Sequence, residues 1–379
     1  MVKRRKIGLI YKYDENWIGG TYYIENLITA LNVLPEALQP ELTIFVEEQN
    51  QFDDLKKRTG YPFLERVALR KLNPVKKGIN RVVKLIFGKS YFFEFEKKLD
   101  LIFPAANIRS FLPNQQFLYW IPDFQEHHLV HFFTPAEIAT RKKYQTRLVG
   151  AARYIVFSSK SVENDFNTFY PNNKVTQFVL PFAVTHPALS FSPVIIEKYA
   201  IPDRFFFCCN QLWIHKNHAV VIRAIHALKQ QGHSVFVAFT GKEYDLRNPA
   251  YFKELNELID SLEVQDQVKF LGFISREDQL ALMKKAIAVL QPSLFEGWST
   301  VIEDAKALQV KVIASNIDVH KEQLVEYQLS ALFSPSGEEE LAKAMLAADA
   351  MVAIAPNYKK NIVEFADKFR KMVEAIATQ

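Results

Sequence analysis

Short β-rich runs alternate with longer amphipathic runs through the second half of this chain, and this alternation restricts the possible folds more than any other feature. The predicted strands are Phe205–Cys209, Val235–Phe239, Val268–Leu271, Ala288–Gln291, Lys311–Ala314 and Ala331–Phe333. The predicted helices between them are His218–Gln231, Tyr251–Leu262, Arg276–Ala286, Val301–Leu308, Val319–Tyr327 and Glu338–Ala348. Strand–helix alternation of this kind predicts a parallel sheet covered by helices on both faces.

The first half repeats this pattern less regularly. Its predicted strands are Ile7–Tyr11, Leu42–Val46, Leu101–Phe103, Phe117–Ile121, Tyr154–Phe157 and Val175–Val179. Its predicted helices are Thr21–Leu34, Pro135–Val149 and Ser161–Phe169. The length of 379 residues exceeds what one hydrophobic core usually organises, and 49% of the residues are hydrophobic. We therefore expect an α/β protein with two Rossmann-like domains that face each other across a cleft.

The boundary between the two domains is predicted from proline spacing. Four prolines within about twenty residues indicate an extended connection, and they are Pro181, Pro187, Pro193 and Pro202. We expect one domain over residues 1–183 and a second over 184–356. A helix at about 357–379 can pack back onto the first domain.

Cysteine content and hydropathy predict a cytoplasmic protein. The two cysteines, Cys208 and Cys209, are adjacent in an apolar run and are better placed to pack than to link distant segments. The N-terminal apolar run, Ile7 to Tyr11, is shorter than the core of a signal peptide. No stretch approaches the roughly 18 uncharged apolar residues that a membrane-spanning helix requires.

A basic block extends from Arg66 to Lys89 and has no acidic residue. Its eight basic residues are Arg66, Arg70, Lys71, Lys76, Lys77, Arg81, Lys84 and Lys89. Apolar residues recur there at helical spacing, at Ile79, Val82, Val83, Ile86 and Phe87. Such a segment favours an interfacial helix on anionic lipid headgroups, which would place the protein peripherally at the inner face of a membrane. A surface helix docked on its own core explains the spacing equally well.

The strongest motif is the segment 295–307, Phe-Glu-Gly-Trp-Ser-Thr-Val-Ile-Glu-Asp-Ala-Lys-Ala, between a predicted strand and a predicted helix. Glu296 and Asp304 are separated by seven residues. Gly297 allows close approach of backbone to a ligand, and free amides at a helix start can hold phosphate oxygens. The segment therefore combines anion binding with carboxylates that can accept hydrogen bonds from sugar hydroxyls.

An ordinary helix start explains only part of this motif. Thr300-x-x-Glu303 fits a capping box, and Asp304 would favour the helix N-terminus through the dipole. Neither effect accounts for Glu296 and Gly297, so we interpret the loop as functional.

The segment resembles the hallmark loop of the group 1 family (family 4) of retaining glycosyltransferases with the GT-B fold. That loop is usually similar to Glu-Gly-Phe-Gly-Leu-Pro-x-x-Glu, and here Trp298 replaces the aromatic residue and Asp304 the second Glu. The resemblance implies that Glu296 contacts the transferred sugar and Asp304 the ribose hydroxyls. It also implies that the donor is lined by Gly297, Trp298, Ser299, Thr300 and Val301.

A second motif is the segment 210–218, Asn-Gln-Leu-Trp-Ile-His-Lys-Asn-His. Asn217 is a plausible N-cap, so Lys216 places a cation at the positive end of a helix, where a bound anion would remove the conflict. The family has a similar Gly-Arg-Leu-x-x-x-Lys-Gly stretch whose Arg and Lys hold the diphosphate. Lys216 matches that Lys, while Gln211 replaces the Arg. The alternative is a solvent-facing lysine in a turn.

Two loops of the first domain complete the expected site. The family has a glycine loop similar to Trp17-Ile18-Gly19-Gly20-Thr21, where Gly19 and Gly20 would contact the donor, although paired glycines also occur in ordinary turns. The segment 120–128 would face the cleft with Asp123 and one of two histidines. Related enzymes often place a histidine near there against the donor sugar, and we favour His128 over His127, with a merely solvated histidine as the alternative.

Two turns at strand ends are expected to line the nucleotide by the same resemblance. They are Thr240-Gly241 and Gly272-Phe273-Ile274, the second lying against the base, and ordinary turn chemistry is the alternative for each. There is no Asp-x-Asp pair and no His/Cys cluster with zinc spacing. We therefore expect no metal and no cofactor, with Lys216 and helix amides stabilising the leaving group.

These patterns predict a hexosyltransferase-like, metal-independent glycosyltransferase of polysaccharide biosynthesis. It would move a sugar from a nucleoside diphosphate sugar to a hydroxyl of a glycan or lipid-linked glycan, and the resemblance implies retention of anomeric configuration. The alternatives are a GT-B-like sugar-nucleotide epimerase or hydrolase, and a non-catalytic module for anionic surfaces. The modest net charge of +5 and the lack of a recognisable module argue against a nucleic-acid partner.

Overall fold

The structure is a computed structural model, and it describes residues 4–13, 18–68, 73–87, 91–92, 95, 97–105, 115–186, 194–352 and 357–378. The strands of the N-terminal domain are β1 (Lys6–Ile10), β2 (Glu41–Phe45), β3 (Leu64–Val67), β4 (Leu101–Phe103), β5 (Leu118–Ile121), β6 (Tyr154–Phe157) and β7 (Thr176–Val179). Its helices are α1 (Ile18–Leu31), α2 (Gln49–Thr59), α3 (Pro74–Phe87), α4 (Gln125–His128), α5 (Pro135–Ala151) and α6 (Lys160–Phe169). Parallel sheets β3-β2-β1-β4 and β5-β6-β7 are joined by a parallel bridge between Ile102 and Phe117.

The C-terminal domain contains a six-stranded parallel sheet. Its strands are β8 (Phe206–Cys209), β9 (Val237–Thr240), β10 (Val268–Phe270), β11 (Val289–Gln291), β12 (Val312–Ser315) and β13 (Ser330–Phe333). Its helices are α7 (Ile195–Tyr199), α8 (His218–Gln230), α9 (Tyr251–Ser261), α10 (Arg276–Lys285), α11 (Thr300–Ala307), α12 (Asp318–Leu324) and α13 (Glu338–Ala347). The strand order is β10-β9-β8-β11-β12-β13, so the order reverses next to β8. In such sheets, ligands bind beyond the carboxyl ends of the strands at the reversal.

The predicted fold class is confirmed, and every strand and helix predicted from the sequence overlaps one in the structure. The sequence did not predict α2, β3 or the short helices α4 and α7, and α7 lies in the segment expected to be an extended connection. Only Phe52, Leu55 and Thr59 are buried in α2, so its apolar periodicity is weak. Strand β3 is an edge strand with no fully buried residue, and it lacks the apolar run that marks the inner strands.

The last helix, α14 (Lys359–Ala377), packs on the N-terminal domain. It lies against α1 and contributes Phe365, Phe369 and Val373 to the core that contains β1 and β2. The Tyr23 ring meets Phe365 edge to face with centroids 6.0 Å apart. Each such buried side chain contributes about 1.5–3 kcal/mol to the stability of that domain.

The connection between the domains runs beside this helix. The Val184 amide donates to the Tyr358 hydroxyl at 3.0 Å, and this hydroxyl donates to Glu303 of α11 at 2.5 Å. Tyr358 therefore joins the connection, α14 and the C-terminal domain. Of the four prolines used to predict the connection, Pro187 and Pro193 lie outside the described residues.

The basic helix α3 exposes apolar and basic side chains together. Val75, Val82 and Leu85 are 69%, 56% and 88% exposed, and Ile79 is also exposed. One face is anchored by Asn80, which accepts from the amides of residues 91 and 92. Arg70, Lys71 and Lys89, and the side chains of Lys84, Ile86 and Phe87, lie outside the described part of the chain. In the described ranges, no helix has the length and hydropathy needed to cross a membrane.

Candidate active site

Lys216 and Glu296 lie together at the carboxyl edge of the C-terminal sheet. The Lys216 ammonium is 2.6 Å from Glu296 Oε1, and their side chains are 13% and 11% exposed. Gln291 and Ser293 donate to the same oxygen at 2.8 and 2.7 Å. Strands β8 and β11 are neighbours, so the loops that follow them must meet. The two motifs therefore form a single site, where the cation and the carboxylate neutralise each other.

The amides at the start of α11 are only partly available. Ser299 is the N-cap, and its hydroxyl accepts from the Ile302 amide at 3.3 Å. Its own amide donates to Gln323 at 3.0 Å. Thr300 and Val301 are the first two residues of α11, so their amides have no acceptor within the helix and can contact an anion.

The predicted capping box at this helix is wrong. The cap is Ser299 and not Thr300, because the helix begins one residue earlier than the box requires. Glu303 does not reach back to the cap. It is buried and accepts hydrogen bonds from Lys306 at 2.9 Å and from Tyr358 at 2.5 Å, so it joins α11 to α14.

Gly297 and Trp298 contact the N-terminal domain, in contrast to the expected donor contacts. A Cβ atom on Gly297 would lie 2.0 Å from the Pro122 carbonyl oxygen, so no other residue fits this approach. The Trp298 indole donates to the Phe182 carbonyl at 3.0 Å and packs against the N-terminal core. The loop faces the opposite domain, and these two residues set how closely the domains approach.

Asp304 is completely buried, which differs from the expected contact with ribose hydroxyls. Arg276 donates to its Oδ1, and His186 Nε2 lies 2.9 Å from the same atom. Burial opposes ionisation, but the Arg276 guanidinium and His186 prevail and hold the pKa of the Asp304 carboxyl below its usual value. The second oxygen, Oδ2, is buried and has no hydrogen-bond partner in the described structure.

The loop after β8 is fixed by contacts that the sequence did not predict. Asn217 has a left-handed backbone (φ 59°) and does not cap α8 with its side chain. It donates instead to the carbonyls of Pro292 and Pro335 at 3.1 and 2.7 Å. Gln211 accepts from the Lys242 amide at 2.7 Å. Lys216 is therefore held by a rigid turn, while Gln211 supports a neighbouring loop.

Thr240 and Gly241 contact the neighbouring loops of the expected nucleotide site and hold them in place. The Thr240 hydroxyl donates to the Gly272 carbonyl at 2.6 Å. Gly241 has φ 148°, and a Cβ there would lie 2.2 Å from the Asn210 carbonyl oxygen. Phe273 is 53% exposed with the Lys242 ammonium 5.4 Å from its ring centre, and Ile274 packs on the core beneath. Of these residues, Phe273 presents the surface best suited to a base.

The glycine pair belongs to the first turn of α1 and not to a loop before it. Gly20 is buried, whereas a Cβ on Gly19 would meet nothing within 4 Å. Trp17 lies outside the described residues. The described part of this helix start therefore offers open space beside Gly19.

Asp123 and His128 reach the cleft, and His127 does not. Burial raises the pKa of the Asp123 carboxyl, and the nearby Glu126 and Glu296 charges add to this effect. The hydrogen bond from the Gln125 amide lowers the pKa but does not offset the rise. The His128 ring stacks on Phe295 of the C-terminal domain with centroids 4.9 Å apart. Its Nε2 lies 2.7 Å from Asp165 Oδ2, and this hydrogen bond raises the pKa of His128.

His127 turns into its own domain. Its ring stacks on Phe169 with centroids 3.9 Å apart, and burial lowers its pKa. Packing within the N-terminal domain therefore explains this histidine.

Sequence reasoning missed several polar residues of the site. Gln291 and Ser293 occur just before Glu296, and Arg276 follows the Gly272–Ile274 turn after one intervening residue. Their positions at or after the ends of strands were a signal that could have found them. His186 had no such signal, because it lies in the connection. The described residues contain no cluster of three or more side chains arranged to hold a metal ion.

Comparison with known proteins finds similarity to glycosyltransferases. Residues 193–351 match the model of the family described as glycosyl transferases group 1. The chain is 28% identical over 242 residues to glycosyltransferase 1 domain-containing protein 1 of Xenopus tropicalis, covering 60% of this chain and 66% of that protein. It is 27% identical over 122 residues to the O-antigen chain mannosyltransferase RfbU of Salmonella typhimurium, covering 32% of each. The matches thus span less than two thirds of these relatives.

The fold is similar to that of solved GT-B proteins. Anabaena HepE in complex with UDP and glucose has a TM-score of 0.68 at 18% sequence identity, covering 98% of this chain and 100% of that one. At this identity the likeness concerns the fold alone. The comparisons do not favour an epimerase, a hydrolase or a non-catalytic module. Residues 193–351 are therefore similar to the group 1 glycosyltransferases, and the chain has the two-domain GT-B fold.

Proposed function

We propose that this protein transfers a hexose-like sugar from a nucleoside diphosphate sugar to a hydroxyl of a glycan or lipid-linked glycan. The carrying observation is the Lys216–Glu296 pair, whose glutamate lies on the loop that leads to the Thr300 and Val301 amides in the first turn of α11. A diphosphate between Lys216 and these amides would neutralise the lysine and release Glu296 for sugar hydroxyls. The same groups would stabilise the departing diphosphate, so no metal is needed for that step.

We further propose that the reaction retains the anomeric configuration. The bond between the anomeric carbon and the phosphate oxygen breaks while the acceptor oxygen bonds on the same face. The acceptor proton passes to the departing phosphate. Asp123 and His128 lie on the opposite wall of the cleft, where they would contact the transferred sugar or the acceptor. The RfbU match supports a sugar donor and a glycan acceptor of this class.

Lys216→Ala tests the diphosphate assignment. We expect it to weaken binding of the nucleoside diphosphate by roughly ten- to a hundredfold, while nucleoside binding changes little, because one charge-assisted contact is lost. A thermal-shift screen of UDP, GDP, ADP, CDP and dTDP with the parent protein first identifies the base, and titration then gives the affinities.

Lys285→Ala is the matched control, because it removes an exposed lysine of the same domain and should leave both affinities unchanged. Equal losses for the nucleoside and its diphosphate would contradict the assignment of Lys216. Failure of all five diphosphates to bind the parent would contradict the proposed function itself.

We also propose that α3 docks on an anionic membrane surface and brings the enzyme to lipid-linked acceptors. Exposed Val75, Ile79, Val82 and Leu85 would enter the interface, beside basic side chains that attract lipid headgroups. This combination favours a peripheral, cytoplasmic-face location over a helix docked fully on its own core.

Replacing Lys77, Arg81 and Lys84 by Gln should lower partition onto vesicles containing phosphatidylserine, because each basic residue contributes about 1 kcal/mol near such a surface. Sedimentation with vesicles measures the partition, and turnover of a soluble acceptor should be spared. The control replaces Lys253, Lys285 and Lys311 by Gln, which removes equal charge from the other domain. Similar partition of the two triple variants would rule out docking through α3.

A further inference from the structure

We propose that Arg276 is the second cation of the donor site and contacts the ribose–phosphate part of the nucleoside diphosphate. Asp304 is then its buried counter-ion and a positioning residue, not a ligand of the ribose. This inference rests on the proposed function and changes how the nucleotide is held.

Arg276 lies where three parts of the expected site meet. It is the first residue of α10 and follows the Gly272–Ile274 turn by one residue. It donates to Asp304 Oδ1 in α11, and its guanidinium carbon lies 5.1 Å from the ring centre of Tyr22 in α1. The side chain therefore bridges from the C-terminal domain to the N-terminal helix that begins with the glycine pair.

The Arg276 side chain has hydrogen-bonding capacity that the described residues do not use. It makes one hydrogen bond to a described residue, although a guanidinium carries five N–H donors. It is 25% exposed, whereas Asp304 is fully buried. A ligand in the cleft thus meets the guanidinium before it meets the carboxylate.

Charge balance at the site also favours Arg276 as a ligand. Gln211 supplies no charge, and its side-chain oxygen is occupied by the Lys242 amide. Lys216 alone would face a diphosphate. Helix α10, which begins at Arg276, packs against β8 and α11. Arg276 therefore lies at the carboxyl edge of the sheet, where the loop that contains Lys216 also begins.

The surroundings of Asp304 argue against a direct ribose contact. Arg276 and His186 share its Oδ1, and its unpartnered Oδ2 is enclosed. A ribose hydroxyl could reach either oxygen only after Arg276 moved away. The carboxylate instead fixes the guanidinium, which is a planar group that binds phosphate through two parallel hydrogen bonds.

The test compares Arg276→Gln with Asp304→Asn, using the diphosphate that binds the parent in the five-member panel and its nucleoside. Arg276→Gln should weaken diphosphate binding by roughly ten- to a hundredfold. Arg276→Lys should recover part of this loss, because it keeps the charge. Asp304→Asn should weaken binding of the diphosphate and of its 2′-deoxyribose analogue by the same factor, because it loosens the guanidinium but removes no contact with the ribose. Arg204→Gln is the matched control, since it breaks an exposed Arg–Asp pair of the same domain, with Asp349 at 2.6 Å.

Two results would overturn the inference. One is parent-like diphosphate affinity in Arg276→Gln. The other is loss of affinity in Asp304→Asn for the diphosphate but not for its 2′-deoxyribose analogue, which would restore Asp304 as the ribose ligand. Melting temperatures of the unliganded variants identify losses that come from misfolding. If the parent binds no member of the panel, the proposed function fails first, and that outcome is distinct from both.

Discussion

Glu296→Gln should lower the rate of sugar transfer by roughly a hundred- to a thousandfold, the usual effect of removing a preorganised electrostatic group. Affinity for the nucleoside diphosphate product should stay the same or rise. In the free protein, Glu296 neutralises Lys216 across 2.6 Å, and a diphosphate bound as proposed would displace it. An uncharged Gln competes less for the lysine. Single-turnover transfer assays and product titration measure the two effects separately.

Glu303→Gln is the control for this experiment, because it makes the same substitution seven residues away on the same segment. Glu303 binds Lys306 and Tyr358 inside the protein. Its replacement should therefore lower the melting temperature, while the turnover of the folded enzyme changes little. Full transfer activity in Glu296→Gln, or an equal loss of product affinity and transfer, would remove Glu296 from the proposed role.

Gly297→Val should reduce transfer by roughly a hundredfold, because misplacing reacting groups by about an ångström has an effect of that size. The added Cβ would lie 2.0 Å from the Pro122 carbonyl oxygen, so the domains cannot approach as closely as they do. The nucleotide groups of the C-terminal domain are unaffected, and product affinity should stay within about threefold of the parent. Small-angle X-ray scattering should give a larger radius of gyration.

Gly150→Ala serves as the comparison for Gly297→Val. Gly150 lies in α5, and a Cβ there would meet nothing within 4 Å. This change should leave transfer intact and stabilise the helix by about 0.5–1 kcal/mol. An unchanged radius together with parent-like transfer in Gly297→Val would mean that the close approach at Pro122 is not needed for turnover.

The fold was predictable because its cause is local. Each inner strand of the C-terminal sheet is an apolar run followed by an amphipathic helix, and parallel pairing follows from that alternation. The same rule placed Lys216 and Glu296 near each other, since both residues follow strands. Segments with few buried residues, such as α2, gave no comparable signal.

Contacts between the domains could not be predicted in this way. Gly297 meets Pro122, and Trp298 meets Phe182, over separations of more than a hundred residues. Local sequence indicated a glycine and an aromatic residue in a binding loop, but not which surface they face. Asp304 shows the same limit, because its burial depends on Arg276 and His186 from two other segments.

The position of α14 has a consequence for how the nascent chain folds. This helix supplies Phe365, Phe369 and Val373 to the core that begins with β1, so the N-terminal domain is discontinuous in sequence. Its core cannot close while the ribosome is still synthesising the C-terminal domain. The C-terminal sheet, whose residues are contiguous, can therefore fold first, in contrast to the usual N-to-C order of domains. Until α14 emerges, the apolar face of α1 stays open to water and to chaperones.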